Sequence, residues 1–238
     1  MKKIIGIFIL LTTLTYSEGF LFWNNDQSTN IGQIEQSAQE KEKEEMALRW
    51  EKIKELDKKI AYDKDKENLE KNYKEYEQEF AIYLEYLKRD SEELFKVGDY
   101  YFKDGRYEKA YEIFSQDTTN LKNIFGAATT ARFLNENDRA LNLYTQAINI
   151  APDFYESYLG RGIVNRDIGN YSEAIADFKK YMEYRKDEGV YIGLGDVYMV
   201  TKNYSEAKNI LEIARNRYPN SKVIRDMLIR TYAELKGN

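Results

Sequence analysis

The sequence of 238 residues contains no cysteine and no histidine. Without cysteine, the chain cannot form disulfides or thiolate metal sites, has no cysteine nucleophile, and cannot carry a bacterial lipoprotein anchor. Without histidine, it lacks the most common general base near neutral pH and the most common transition-metal ligand. Only carboxylates, lysine, tyrosine or serine could then carry chemistry, which disfavours a catalytic function. We expect no catalytic residues, no metal and no cofactor, and we predict that the protein is not an enzyme.

Proline and glycine are also scarce, with 2 and 13 residues, while 32% of the residues are charged and 42% are hydrophobic. This composition favours long helices over a turn-rich β fold. The net charge is −5, so the chain has no general attraction to phosphate backbones. We therefore expect no nucleic acid partner.

The first residues have the order of a secretory signal, in which positive charge precedes an apolar run and then a polar stretch. Lys2 and Lys3 come before the apolar residues 4–14. That run is shorter than the roughly 20 residues that span a bilayer, which favours a cleaved signal peptide at residues 1–17. Further apolar residues follow, so an uncleaved membrane anchor over residues 4–23 is the alternative. In either case we expect export to the periplasm or cell envelope of a bacterium.

A polar spacer, expected at residues 18–33, separates this signal from a charged helical segment at residues 34–90. The charged segment contains no proline or glycine, so its helix propensity is high. Apolar residues recur along it at spacings of three and four, as on one face of a helix. They are Met46, Trp50, Ile53, Leu56 and Ile60, then Leu69, Tyr73, Tyr76, Phe80, Tyr83 and Leu87. Charged residues interrupt the stripe at 61–68, where we predict a hinge or a break between helices.

Two interpretations of the segment 34–90 remain open. The first is a coiled coil that forms a homo-oligomer through its apolar stripe. The second is a pair of amphipathic helices that folds back on the domain that follows and caps its first face. The sequence does not distinguish the two.

The rest of the chain repeats itself. Alanines recur at intervals of 30, 34 and 33 residues, and a large apolar residue follows each alanine four residues later. The four pairs are Ala110 with Phe114, Ala140 with Tyr144, Ala174 with Phe178, and Ala207 with Leu211. In the last repeat, Leu194, Gly195 and Tyr198 precede the alanine, and Pro219 follows its second helix. This pattern resembles the tetratricopeptide repeat (TPR), a pair of helices that recurs about every 34 residues.

The resemblance implies an all-α fold, a TPR superhelical solenoid of about four repeats plus a C-terminal capping helix, preceded by the long charged helix or coiled coil. We place the TPR domain at residues 91–238, and its parts are the repeats at 91–120, 121–154, 155–187 and 188–221 and the capping helix at 222–236. The first repeat is four residues shorter than the second and lacks the proline. We therefore expect its second helix, or the turn after it, to deviate at 116–123. In the second repeat, Ala128 and Ala131 replace the usual glycine and tyrosine.

The resemblance also implies a binding surface, because the first helices of stacked repeats line a concave groove that holds a peptide or helix of another protein. The groove positions of the family fall on Phe95, Asp99, Phe102, Lys122, Phe125, Thr129, Arg132, Phe133, Leu159, Ile163, Arg166, Ile192, Asp196 and Met199. Members that bind chaperone tails grip a C-terminal carboxylate with lysine, asparagine and arginine. Those places hold other residues here, including Phe95 and Gly160. We therefore expect an amphipathic helix or an extended apolar segment as the ligand.

These features predict a non-enzymatic scaffold in the cell envelope that binds another protein. In layout, the chain is loosely similar to the family of periplasmic division coordinators associated with the Tol-Pal system, which combine a coiled coil with TPRs. The alternative function is a membrane-anchored structural spacer, or an oligomerising adaptor that acts through the N-terminal coiled coil. It is also open whether the groove is accessible or covered by residues 69–87 of the same chain.

Overall fold

The computed structural model describes the backbone of residues 25–237 and the side chains of residues 34–237. The signal or anchor expected at residues 1–17 lies outside the described residues, as do residues 18–24 of the expected spacer. The regular secondary structure of the described part is entirely helical and comprises α1 (Asn25–Tyr62), α2 (Lys66–Leu87), α3 (Ser91–Lys103), α4 (Tyr107–Phe114), α5 (Leu121–Phe133), α6 (Asn137–Ile150), α7 (Glu156–Asp167), α8 (Tyr171–Tyr184), α9 (Glu188–Val200), α10 (Tyr204–Arg217) and α11 (Lys222–Gly237). None of the helices in this part of the chain is both long enough and apolar enough to cross a membrane.

The chain divides into two compact units, residues 1–83 and 84–238. In the first unit, α1 begins at Asn25, so the spacer expected up to residue 33 is helical from residue 25 onward. The break predicted at 61–68 is confirmed, because α1 ends at Tyr62 and α2 begins at Lys66.

Antiparallel contacts join α1 and α2 into a helical hairpin. The rings of Trp50 and Tyr83 stack with their centroids 5.4 Å apart. The Lys52 ammonium lies 2.7 Å from the Glu75 carboxylate and 2.8 Å from that of Glu79, which also pairs with Arg49. Much of the predicted apolar stripe is buried, namely Met46, Ile53, Leu56, Tyr76, Phe80 and Tyr83. The first unit therefore uses its apolar stripe, at least in part, for pairing within one chain.

The second unit is a stack of four helix pairs, α3–α4, α5–α6, α7–α8 and α9–α10, closed by α11. Each second helix packs against its own first helix and against the first helix of the next pair. The first helices also contact one another along the stack, from α3 through α5, α7 and α9 to α11. This arrangement confirms the predicted TPR solenoid of about four repeats with a closing helix.

The alternation of large and small residues explains how the pairs stack. A β-carbon added at Gly98 of α3 or at Gly126 of α5 would lie only 2.5 or 2.7 Å from the Phe114 ring of α4. The ring therefore fills the space between two successive first helices, and the glycines admit it. Phe178 of α8 lies in the same way between α7 and α9, against Gly162 and Gly193. In the second repeat, Ala128 stands at the glycine position and Ala131 at the tyrosine position, and both are fully buried.

The turn between the helices of each pair contains one residue with a left-handed backbone. These residues are Gly105, Asn135, Gly169 and Lys202, with φ values of 76°, 59°, 85° and 59°. They are separated by the same 30, 34 and 33 residues as the repeated alanines. Glycine and asparagine adopt this conformation readily, whereas lysine does so at a cost in free energy.

The first repeat deviates where the sequence predicts it. Helix α4 has 8 residues, whereas α6, α8 and α10 have 14 each. In the turn that follows, the Asp117 carboxylate accepts hydrogen bonds from the Ser91 hydroxyl, from the backbone and hydroxyl of Thr119, and from the backbone of Asn120. Burial alone would raise the pKa of Asp117, but these hydrogen bonds outweigh it and hold the pKa well below its usual value. The carboxylate thus closes the turn in place of the missing helical residues.

Candidate functional site

The first helices form the inner layer of the second unit, because they contact one another directly along the stack. The fourteen residues predicted to line the groove all lie on these helices, α3, α5, α7 and α9. Each of them is partly or largely exposed, and none is fully buried. We call the surface that they form the groove. The structure thus brings the predicted residues onto one layer, where their side chains can reach a ligand.

An aromatic cluster of Phe102, Tyr107 and Phe133 stands at one edge of the groove, where α3 and α5 end and α4 begins. The ring centroids of Phe102 and Phe133 are 5.2 Å apart, and Tyr107 lies 5.0 Å from Phe133 and 5.4 Å from Phe102. Phe133 remains 44% exposed. The cluster therefore offers a rigid apolar platform to solvent, of the kind that anchors protein ligands.

Further along α5, Phe125 is held by two neighbouring rings. Its centroid lies 5.0 Å from that of Phe154, in the loop before α7, and 5.9 Å from that of Tyr144 on α6. The hydroxyls of Thr129 and Tyr144 are 3.1 Å apart and form a hydrogen bond. These contacts fix the middle of the groove, so a ligand there would meet a largely preformed surface.

The groove ends in a pocket of about 350 Å³ between α7, α9 and α11. Four predicted residues line it, Arg166, Ile192, Asp196 and Met199, together with Val223, Asp226, Met227 and Arg230 of α11. The α11 residues were not predicted, because α11 was interpreted only as a cap. A signal was present, since the buried Leu228 follows the buried Leu194 by 34 residues, one repeat length. Helix α11 therefore takes the place of a fifth first helix and extends the groove.

Most charged residues predicted for the groove have a partner of opposite charge on the first helices. Asp99 pairs with Lys103 at 2.5 Å, and Lys122 pairs with Glu92 at 2.9 Å. The Arg166 guanidinium lies 2.7 Å from Asp167 and 4.0 Å from Asp196.

Arg132 differs from these residues. The described residues offer its guanidinium no hydrogen bond and no ion pair, and the buried Nε has no hydrogen-bond partner. Its guanidinium carbon lies 4.6 Å from the centroid of the Phe133 ring.

The carboxylates of Asp196 and Glu206, considered as a catalytic pair, do not line a common site. Asp196 lines the groove pocket, whereas Glu206 lines a notch of about 380 Å³ formed by α8, α9 and α10. In the described part of the chain, no three carboxylates are grouped so that they could hold a metal ion. The geometry therefore offers no assembled catalytic constellation at these two residues.

One buried ion pair was missed from the sequence. Arg161 of α7 donates two hydrogen bonds to the Asp177 carboxylate of α8, at 2.9 and 2.8 Å, and a third to the Thr145 hydroxyl at 3.2 Å. The Asp177 side chain is only 6% exposed. The Gly160-Arg161-Gly162 segment lies inside α7, where its glycines pack against the rings of Tyr144 and Phe178, and its arginine needs a specific partner.

Comparison with known proteins identifies the repeats. Residues 125–188 and 167–228 each match the tetratricopeptide repeat family. A TPR repeat-containing protein of Methanocaldococcus jannaschii is 31% identical over 114 residues, which are 46% of this chain and 20% of that protein. The DnaJ homolog subfamily C member 7 homolog of Dictyostelium discoideum is 26% identical over 102 residues, which are 40% of this chain and 19% of that protein. The chain thus spans about a fifth of the length of these curated relatives.

Solved structures of other proteins share the fold. MamA (MSR-1) superposes with a TM-score of 0.55 at 20% identity, over 61% of this chain and 87% of that one. A tetratricopeptide repeat protein from Parabacteroides merdae superposes with a TM-score of 0.56 at 19% identity, over 78% of this chain and 74% of that one. At these identities the similarity extends to the architecture alone.

Proposed function

Since this chain is a tetratricopeptide repeat protein, we propose that it acts as a non-enzymatic scaffold that holds a peptide or an amphipathic helix of another protein in the groove. TPR domains generally mediate protein–protein interactions, which supports the role of a scaffold. The observation that supports binding in the groove is the line of partly exposed apolar side chains on α3, α5, α7 and α9. Such a surface is suited to binding a protein segment, because aromatic side chains that fill pockets contribute much of the binding free energy of protein interfaces.

We also propose that the protein works in the cell envelope of a bacterium, either free in the periplasm or held by an N-terminal anchor. This part of the proposal rests on Lys2, Lys3 and the apolar run that follows them. N-terminal sequencing of the protein from its native host tests it. A mature chain that starts near residue 18 would support cleavage, an intact N-terminus in the membrane fraction would support the anchor, and an intact chain in the cytosol would refute export.

A crosslinking pull-down from the native envelope tests the groove. The protein is compared with Phe125→Asp and Phe133→Asp, which place a charge in the groove, and with Ile213→Asp on α10. Ile213 is 54% exposed and lies outside the groove, so it is a matched control. We expect a partner that the wild type and Ile213→Asp retain and that both groove variants lose, while all four proteins show the same helical content by circular dichroism.

If every variant retains its partners equally, the groove is either covered or unused, and the groove assignment is wrong. The second candidate function, a spacer or oligomerising adaptor in which residues 34–90 drive assembly, would then be favoured. The observation behind this candidate is the hairpin of α1 and α2, which leaves Leu48, Tyr73 and Ile82 exposed beside its buried stripe. Analytical ultracentrifugation of the chain with and without Leu48→Glu would detect an oligomer that depends on this surface.

A further inference from the structure

We infer that the groove recognises the side-chain carboxylate of an aspartate or glutamate in the partner, that Arg132 binds it, and that the aromatic cluster receives an apolar residue next to it. This inference rests on the proposed function, because it specifies the chemistry of the ligand at the same groove. It comes from comparing Arg132 with Arg166, which stands at the same place one repeat later, 34 residues on.

The two arginines have opposite surroundings. Arg166 donates to the Asp167 carboxylate at 2.9 and 2.7 Å and lies 4.0 Å from that of Asp196. In the preceding repeat, the residues that correspond to these two aspartates are Phe133 and Ile163. Both counter-ions of the later arginine are thus replaced by apolar side chains around Arg132. Its positive charge is left for a group that the chain itself does not supply.

The surroundings of Arg132 favour a carboxylate over other partners. A guanidinium presents its donors in a planar fork that matches a carboxylate, and such charge-assisted pairs are the stronger hydrogen bonds in proteins. The buried Nε has no partner, so the guanidinium bears a desolvation cost, and a carboxylate bound by its other two nitrogens would offset part of that cost. Because Arg132 lies over Phe133, its guanidinium is also held next to the exposed aromatic platform. A carboxylate and a neighbouring apolar side chain can therefore bind side by side.

The position of Arg132 indicates an internal residue of the ligand rather than its C-terminus. Helix α5 is the second of the five first helices that form the inner layer, and partly exposed groove residues lie on both sides of it. On one side stands Phe95 of α3, and on the other stand Leu159 and Ile163 of α7. A segment that uses both sides continues past Arg132 in both directions. The carboxylate at this point then belongs to a side chain.

Selection from a library of short random peptides tests the inference. The peptides are displayed with their C-termini fused to the carrier, so that they offer no free terminal carboxylate, and a second library displays free C-termini. The bait proteins are wild type, Arg132→Gln, Arg132→Glu, Arg132→Lys and Phe125→Asp. Arg217→Gln is the control, because Arg217 also lies in the last turn of a helix and is exposed outside the groove. Selected peptides are then measured one by one as C-terminal amides.

We expect aspartate or glutamate beside an aromatic or aliphatic residue to be enriched on the wild type. Arg132→Gln should lower the affinity for the selected peptides by about tenfold or more, as expected for the loss of a charge-assisted hydrogen bond. Arg132→Lys should recover part of the binding, Arg217→Gln should change it little, and Arg132→Glu should select lysine or arginine instead.

Three results would overturn the inference alone. Enrichment without acidic residues, or equal binding to wild type and Arg132→Gln, would show that Arg132 does not read the ligand. Enrichment only from the library with free C-termini would assign the carboxylate to a chain end. In each of these cases the proposed function survives if Phe125→Asp abolishes binding. If no selected peptide depends on Phe125, the inference and the groove assignment fail together.

Discussion

Replacing Arg161 with leucine should destabilise the repeat domain by about 3–5 kcal/mol, because it would leave the buried carboxylate of Asp177 without its counter-ion. That carboxylate is part of a side chain only 6% exposed, and its one remaining hydrogen bond would be the 3.3 Å contact from the Asn165 amide. Replacing Asp177 with isoleucine should cost less, about 1–3 kcal/mol, because the Arg161 side chain is 24% exposed and can turn toward water.

The double variant is the informative one. One repeat later, 33 residues on, the same two places hold Leu194 and Ile210, so the solenoid already contains an apolar version of this contact. The combined Arg161→Leu and Asp177→Ile protein should therefore lie within about 1 kcal/mol of the wild type, or be more stable, as is common when a buried ion pair is replaced by a packed apolar pair. The coupling free energy between the two positions is then about 3 kcal/mol or more.

Urea unfolding followed by far-ultraviolet circular dichroism measures all four proteins of this double-mutant cycle. The reasoning is refuted if the two single changes are additive in the double variant. It is also refuted if Arg161→Leu alone costs less than about 1 kcal/mol, because the carboxylate would then not depend on its partner.

Two further predictions concern the turns. Asp117→Asn should lower stability by about 1–3 kcal/mol at neutral pH by weakening the hydrogen bonds of that carboxylate. Because the folded pKa of Asp117 is lowered, its stabilisation is complete above about pH 4 and is lost as the pH falls toward the folded pKa, so the difference between the two proteins should shrink in acid. A difference in urea midpoints that stays constant with pH would contradict this. Lys202→Gly should raise the free energy of unfolding by up to about 1 kcal/mol, because lysine there has a φ of 59°, and Gly169→Lys, at the same turn one repeat earlier, should lower it. Equal thermal unfolding midpoints for these variants and the wild type would show that the left-handed turn is not strained.

The array could be predicted from the sequence because its packing recurs at a fixed interval. The alanine and the large apolar residue four positions later identify each second helix, and the glycines that contact Phe114 and Phe178 identify the first helices. The missing residues of the first repeat likewise predicted a deviation, which the eight-residue α4 confirms.

Features that depend on one-off pairings could not be predicted in this way. The Arg161–Asp177 ion pair replaces an apolar pair of the next repeat, and neither residue alone indicates the other. One of the hydrogen bonds of Asp117 comes from Ser91, 26 residues earlier in the chain. The part of α11 in the groove was missed for a different reason. Helix α11 begins like a first helix, but it carries Ile229, 67% exposed, at the place of Gly195. In a complete repeat, the second helix would pack closely against that position.

The repeat pattern likewise could not predict that the charge of Arg132 has no partner. Arg132 and Arg166 both occupy groove positions, and only the contacts distinguish them, since Arg166 has carboxylate partners and Arg132 has an aromatic ring. The identity of a groove residue therefore follows from the repeat, whereas its role depends on its neighbours in three dimensions.

Site-specific photo-crosslinking in the native host tests the groove most directly. A photoreactive amino acid is placed at Leu159 in the groove or at Ile213 on α10, in the wild-type background and together with Phe125→Asp. We predict one dominant crosslinked protein from position 159, little or none from position 213, and loss of the product when Phe125→Asp is present. Equal crosslinking from both positions, or a product from position 159 that Phe125→Asp leaves unchanged, would contradict the proposal that this protein holds a partner in its groove.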